Sequence, residues 1–222
     1  MASTWPDVWQ RYPGRVLSAL DARSGGRVHL GAFEIMAARR DELRRLARIP
    51  RAFEVRPARP DDRALVASFL RDAGRTGQLF SSGDAGFLGL AEGAVQAMEW
   101  VRFGPADYDW DAKRLGLVFG LPPRSCWLHN GMGGEGGAQG PWAMVMGRLP
   151  AFLEEHGIEF AYLQVARENA YSIRCHESLG FRRVGRVVHM RAGRLRFVRL
   201  RASGEKWLRW HESRLDLERL TI

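Results

Sequence analysis

Along the chain the spacing of apolar positions changes character several times, and each change marks an element. Arg27 to Ile35 alternates as a short strand, whereas Ala37 to Ala47 sets apolar residues among Arg and Glu at helical spacing and is closed by Pro50. Phe53-Glu54-Val55-Arg56 reads as a strand. Pro60-Asp61-Asp62 opens a helix through Leu65, Phe69 and Leu70 to Gly74, with Asp61 as its N-cap. Beyond the turn Ser81-Ser82-Gly83-Asp84, the runs Gly86 to Ala91 and Ala94 to Phe103 flank Glu92-Gly93 and predict an antiparallel hairpin. A polar, Pro-flanked stretch, Gly104 to Arg124, precedes a short strand, Ser125 to Asn130.

The second half continues with a glycine-crowded loop, 131–140, and a helix that begins at Pro141. Its apolar positions are Trp142, Val145, Leu149, Phe152 and Leu153, Gly157 lies just past its end, and Pro150 is expected to kink it. Ile158 to Val165 alternates as a strand, Asn169 to Leu179 as a helix, and Arg183 to Met190 and Leu195 to Leu200 as strands joined at Ala192-Gly193. Ser203 is expected to cap a last helix that ends near Leu220. This order predicts an α/β fold built on a single mixed sheet, with residues 1–52 as an N-terminal extension, 53–200 as the domain and 201–222 as an amphipathic C-terminal helix. The Trp/Leu stripe of that helix is expected to dock on the domain or, in a homodimer, on a second subunit.

Composition narrows the class. The 222 residues are 45% hydrophobic and hold no apolar run of membrane-spanning length, and Met1 to Trp9 lacks the pattern of a secretory signal. Two cysteines, Cys126 and Cys175, build neither a disulfide framework nor a zinc site, so no metal is expected and the expected compartment is the reducing cytoplasm. The formal charge of +9 raises nucleic acid as a partner, but its distribution argues against one. Residues 1–52 carry ten Arg against five acids and residues 182–222 twelve basic residues against four acids, while 53–181 carries twelve against sixteen. The surplus is at the ends and the centre is mildly acidic, which suits a cationic amine better than a polyanion.

A glycine-rich loop between a strand and a helix N-terminus turns several backbone N–H groups toward one point and adds the positive end of the helix dipole, an anion-binding arrangement. Gly131, Gly133 and Gly136 also satisfy G-x-G-x-x-G, but the antiparallel hairpin before them does not fit the βαβ series of a dinucleotide fold. Asp107-Tyr108-Asp109-Trp110-Asp111 starts like a calcium loop and fails at Ala112 and Val118, where Gly and Glu are required. The same acidic, aromatic stretch is a candidate for attracting an amine by charge and cation–π contact.

With these features in place, residues 53–200 resemble the GNAT superfamily of N-acetyltransferases. The resemblance rests on Val55-Arg56-Pro57-Ala58-Arg59-Pro60-Asp61-Asp62, on Glu135-Gly136-Gly137-Ala138-Gln139-Gly140 before a helix, and on Asn169 followed by Leu179-Gly180-Phe181. It departs from the family loop at Glu135, where Arg or Gln is usual, and at Ala138, where Gly is usual. The resemblance implies a mostly antiparallel sheet and acetyl-CoA (or another acyl-CoA) as co-substrate. It implies that the pyrophosphate lies on the amides of Gly136, Gly137, Ala138, Gln139 and Gly140, and that Asn169 touches the pantetheine arm or phosphates. A backbone N–H of the fourth strand, within Leu128 to Met132 and so near Asn130 and Met132, would polarise the thioester carbonyl. His176 falls at the position of the usual tyrosine that protonates the leaving thiolate, a role an imidazole can fill. Glu99, His129 and, less directly, Glu92 are candidates for deprotonating a small-molecule or peptide amine. The competing reading is a non-catalytic module of the same fold whose basic flanks bind nucleic acid or another anionic partner.

Overall fold

The computed structural model describes residue 23 and residues 28–44, 52–110, 117–133, 139–192, 195–202 and 214–220. Its strands are β1 (Val28–Arg39), β2 (Phe53–Pro57), β3 (Ala85–Ala91), β4 (Ala94–Phe103), β5 (Ala106–Trp110), β6 (Leu117–Leu121), β7 (Ser125–Gly133), β8 (Phe160–Ala166), β9 (Arg182–Ala192), β10 (Leu195–Ala202) and β11 (Arg214–Asp216). The helices are α1 (Arg63–Leu70), α2 (Ala73–Ser81), α3 (Gln139–Glu155) and α4 (Ala170–Ser178). Eight strands form one sheet in the order β10-β9-β1-β8-β7-β4-β3-β2, antiparallel throughout except for the parallel pair β7–β8. The mixed, mostly antiparallel sheet with flanking helices is therefore the observed fold.

Both faces of this sheet are covered, and the alternation along each strand says by what. Met36 and Ala38 of β1, Cys126 and Leu128 of β7, and Ala161, Leu163 and Val165 of β8 point to the face packed by Val145, Met146, Leu149 and Leu153 of α3 and Ile173 of α4. Phe33, Ile35 and Ala37, with Trp127 and Tyr162, point the other way onto Leu117, Phe119 and Leu121 of a small second sheet, ordered β11-β6-β5. On that same second face, Met98 and Trp100 of β4 and Leu88 of β3 pack with Val66 of α1 and Leu79 of α2.

Several elements differ from their sequence expectation. β1, assigned to an N-terminal extension, lies in the interior of the main sheet between β8 and β9. The helix expected over Ala37–Ala47 is strand to Arg39 and a 3-10 turn over Arg40–Glu42, because Phe33 to Ala38 are buried on both faces and a helix would withdraw half of them; residues 45–50 lie outside the described residues. The stretch Gly104–Arg124 is not a plain polar insertion but carries β5 and β6. The helix expected to run from Asp61 to Gly74 is a 3-10 turn, α1, and then a separate α2 capped by Asp72, whose carboxylate accepts from the Arg75 N–H at 2.9 Å. At the C-terminus, residues 203–213 lie outside the described residues and 214–219 form β11 and a 3-10 turn rather than a helix. Leu215, Leu217 and Leu220 there do dock on the domain, in the cluster under β1 and β7. Pro150 sits inside α3, which continues through it to Glu155.

One local expectation holds in detail. The β3–β4 hairpin turns at Glu92 and Gly93, both at positive φ (51° and 76°). Among the described residues, no helix is long and apolar enough to cross a membrane.

Candidate functional site: a cleft between two diverging parallel strands

β7 and β8 pair from Ser125–Phe160 to Leu128–Leu163 and then part, although β7 runs on to Gly133 and β8 to Ala166. The cause lies on the other edge of β7. Its register with β4 steps from Trp100↔His129 to Met98↔Met132, so Asn130 and Gly131 together stand opposite the single residue Glu99. This is a β-bulge, which bends the strand that carries it. Asn130 takes φ 55°, a left-handed conformation that Asn tolerates better than most side chains. At Gly131 a Cβ would collide with the Glu99 carboxyl, so the bulge brings backbone and carboxyl together only because that position has no side chain.

The parting strands open a cleft of about 450 Å³ that reaches both faces of the sheet. On the α3/α4 side stand Glu99, Trp142, Cys175 and His176; on the α2/β5 side stand Arg75, Tyr108, Trp127 and His129. Asn169, Ser172 and Gln164 line it as well.

Glu99 is 4% exposed. Burial pushes its carboxyl up to about 8, against the opposing pull of hydrogen bonds from the Trp142 indole and the Trp100 backbone. The Trp142 Nε1–H donates to Glu99 Oε2 at 3.0 Å, and the same indole packs edge-on against the His176 ring, 4.7 Å between centroids. Trp142 thus bridges Glu99 and His176. At neutral pH Glu99 is mostly the neutral acid, close enough to its midpoint to give or take a proton.

His176 is the opposite case. Burial lowers its pKa to about 4, only partly offset by the backbone hydrogen bond at Ser172. Its Nδ1 lies 2.7 Å from the Ser172 carbonyl oxygen, which can only accept, so the ring proton is on Nδ1 and Nε2 carries a lone pair. A neutral imidazole in this tautomer is a hydrogen-bond acceptor. In this tautomer Nε2 carries no proton to give a departing thiolate, the role expected of His176.

His129 is also committed. Asn130 accepts from Arg75 Nη2 through Oδ1 and turns its Nδ2 to His129 Nδ1 at 2.6 Å, which leaves the His129 proton on Nε2, 3.1 Å from Asp84 Oδ2. The Asn130 amide thus occupies the Nδ1 lone pair of His129, while Nε2 faces Asp84 without a hydrogen bond of good geometry. Asp84 also takes Arg102 in a two-pronged pair at 2.7 and 3.1 Å. Burial alone would raise the Asp84 pKa, but the contacts of His129, Arg102 and Ser82 outweigh it and hold the carboxyl at about 2.

The other expected site residues divide clearly. Asn169 is at the cleft and caps α4, its Oδ1 accepting from the Ser172 N–H at 3.0 Å. Gly180 follows the helix at φ 103°, packed against the Glu42 backbone where a side chain would clash. Met132 packs with the cluster under α1 and α2 and is not among the cleft-lining residues. Gly140 is in the first turn of α3 beside Gln139, while Gly136, Gly137 and Ala138 lie outside the described residues. Glu92 is in the β3–β4 turn, away from the cleft. The acidic stretch 107–111 contributes Tyr108 to the cleft, but Asp107 is paired with Arg214 Nη1 at 2.6 Å. Arg75 and Trp142 were not foreseen as site residues. For Trp142 an aromatic in the first turn after the glycine loop was the available signal; for Arg75 it was the cap Asp72 three residues before it.

A sheet with one parallel pair splayed open and helices on both faces defines an α/β fold with its cleft inside the sheet. More particularly, it is the fold seen in solved structures described as GNAT-family acetyltransferases. Three of the solved structures similar to the chain illustrate the likeness. A GNAT-family protein from Novosphingobium aromaticivorans is 17% identical, with 80% of this chain and 68% of that chain covered and a TM-score of 0.50. A GCN5-related N-acetyltransferase from Kribbella flavida is 12% identical over 81% and 72%, TM-score 0.52. A functionally unknown conserved protein from Staphylococcus epidermidis is 10% identical over 80% and 68%, TM-score 0.55. No family model matches the chain, and neither does any curated protein.

Proposed function

We propose that the protein transfers an acetyl group directly from acetyl-CoA to a primary amine. The observation that carries this reading is the cleft itself: strands parted by a bulge, with an almost fully buried carboxyl of pKa about 8 opposite the bulged backbone. Leu128 and Leu163, at the closed end of the gap, give an apolar seat to the thioester end of the donor, and its pantetheine arm passes Asn169. Gly136 to Gly140 take the pyrophosphate.

In this mechanism the amine nitrogen attacks the thioester carbonyl carbon and the C–S bond breaks. Backbone N–H groups of the bulge polarise the carbonyl oxygen. Glu99, as carboxylate, takes the proton the amine loses and returns it to the departing sulfur; a pKa of about 8 is close to the roughly 8.5 of an ordinary thiol, so the second transfer is nearly level. His176 Nε2 accepts an N–H from the bound substrates and orients it. The test is a panel of primary amines with acetyl-CoA: free thiol is released in step with one acetyl gained by the amine, read by mass. Thiol release at the same rate without any amine would contradict it.

Trp142→Phe keeps the ring packing and removes the N–H that favours ionised Glu99. The Glu99 pKa then rises, and the alkaline inflection of kcat/KM moves to higher pH. At neutral pH kcat/KM falls roughly ten- to a hundredfold, the value of a hydrogen bond to a charged group. A pH profile distinguishes this from simple loss of packing, which would leave the inflection in place.

A further inference from the structure

We infer that the amine acceptor carries a carboxylate, and that Arg75 is the residue that recognises it. This rests on the acyltransfer reading above and concerns the substrate class of the same cleft.

The charge inside the cleft is the reverse of what the acidic centre of the sequence suggested. Among the described residues that line it, the one carboxyl is Glu99, neutral for the most part at neutral pH, and the one guanidinium is Arg75. Most other arginines near a carboxylate are satisfied: Arg56 by Asp62, Arg102 by Asp84, Arg186 by Glu34, Arg214 by Asp107 and Asp216. No described carboxylate pairs with Arg75. Its Nη2 donates to Asn130 Oδ1, and Asn130 is in turn held by His129. That contact fixes the head of a long side chain at the bulge while leaving further N–H donors of its planar fork for a second partner. A guanidinium held in place without a carboxylate at the mouth of a cleft is suited to an anion, and one positive charge balances one carboxylate rather than a phosphate dianion.

The face decides which substrate bears that anion. Arg75 projects from α2, on the side of Tyr108 and His129, whereas Asn169 and the start of α3, which serve the donor, lie on the other side. An acceptor entering past Arg75 would have its carboxylate held at the bulge and its amine free to point inward to Glu99.

The test compares kcat/KM for L-amino acids with those for their carboxamides and decarboxylated amines, and includes phosphoethanolamine against ethanolamine. The free acids are expected to be preferred by roughly ten- to a hundredfold. In Arg75→Gln that ratio falls toward one, and in Arg75→Lys, which keeps the charge without the fork, it falls partway. A wild-type preference for amides, polyamines or the phosphate-bearing amine overturns the inference. So does a ratio intact in Arg75→Gln with a raised KM for acetyl-CoA, which would assign Arg75 to the donor phosphates. Calorimetry with acetyl-CoA separates the two levels: if the donor binds and the preference is absent, this inference alone falls; if the donor does not bind, the acyltransfer reading falls and takes the inference with it.

Discussion

Glu99→Gln is expected to lower kcat/KM for amine acetylation roughly 100- to 10,000-fold, the range spanned by a positioned acid–base group. The amide is nearly isosteric with the neutral acid and its oxygen can still accept from the Trp142 indole, so the cleft keeps its shape. What is lost is the exchangeable proton. Wild-type kcat/KM is expected to rise with pH through about 8, as Glu99 ionises, for an acceptor whose own amine is already neutral across the range; in the variant that inflection disappears. Stability moves the other way. Glu99 has a raised pKa in the folded protein, so the folded state holds a proton that the unfolded chain releases above the ordinary value of 4.5. Its contribution is most favourable below that value and declines as pH rises to about 8. Glu99→Gln removes this decline, and the variant is expected to outlast wild type in thermal melts at alkaline pH while failing as a catalyst.

Arg102→Ala is expected to destabilise the protein by about 3–5 kcal/mol, because it leaves the buried Asp84 carboxylate without its two-pronged guanidinium partner. At roughly 2–4 °C per kcal/mol for a chain of this size, Tm falls by about 10 °C. The Asp84 side chain is 3% exposed, so little water reaches the carboxylate to replace the lost partner. The sign with pH is fixed by the depressed pKa of Asp84: the stability it supplies is present above its ordinary value of 3.8 and is lost as pH falls toward about 2. In Arg102→Ala the carboxyl protonates more readily, so the gap between variant and wild type is expected to be widest near neutrality and to narrow in acid. Denaturant unfolding at several pH values measures this. A gap of constant size would mean that Arg102 acts by packing on Tyr108, which its guanidinium faces at 5.4 Å, rather than by charge.

How much of this could be read from the sequence depended on where each element finds its partners. The β3–β4 hairpin was legible because its turn residues and alternation are local. β1 was not: Phe33 to Ala38 are buried on both sides, so the period of two that marks a half-exposed strand is erased, and Ala37-Ala38 followed by Arg39, Arg40 and Glu42 imitates a helix face. β5 was hidden by Asp107, whose charge is answered by Arg214 more than a hundred residues away. α2 was hidden by Gly74 and Gly77, which dilute helix propensity even though the Asp72 cap was present. In the cleft, Asn169 and His176 follow from family spacing and Glu99 from its place on a central strand, yet neither signal says that burial makes Glu99 a neutral acid and His176 a lone-pair donor. The first state comes from burial working against the Trp142 hydrogen bond and the second from burial and the Ser172 carbonyl, all of them present only in the folded chain.

The excess of Arg at the two ends of the chain is in part answered by ion pairs within the chain, Arg186 by the buried Glu34 and, at the surface, Arg182 by Glu42 and Arg183 by Glu177, while the cleft keeps Arg75 with no carboxylate partner among the described residues. Charge counted along the chain therefore does not describe the charge a substrate meets. What does matter is whether the gap between β7 and β8 takes an acyl-CoA. Isothermal titration of acetyl-CoA into the protein tests this most directly: saturable one-to-one binding is the predicted result, and the absence of saturable heat up to millimolar acetyl-CoA would contradict it.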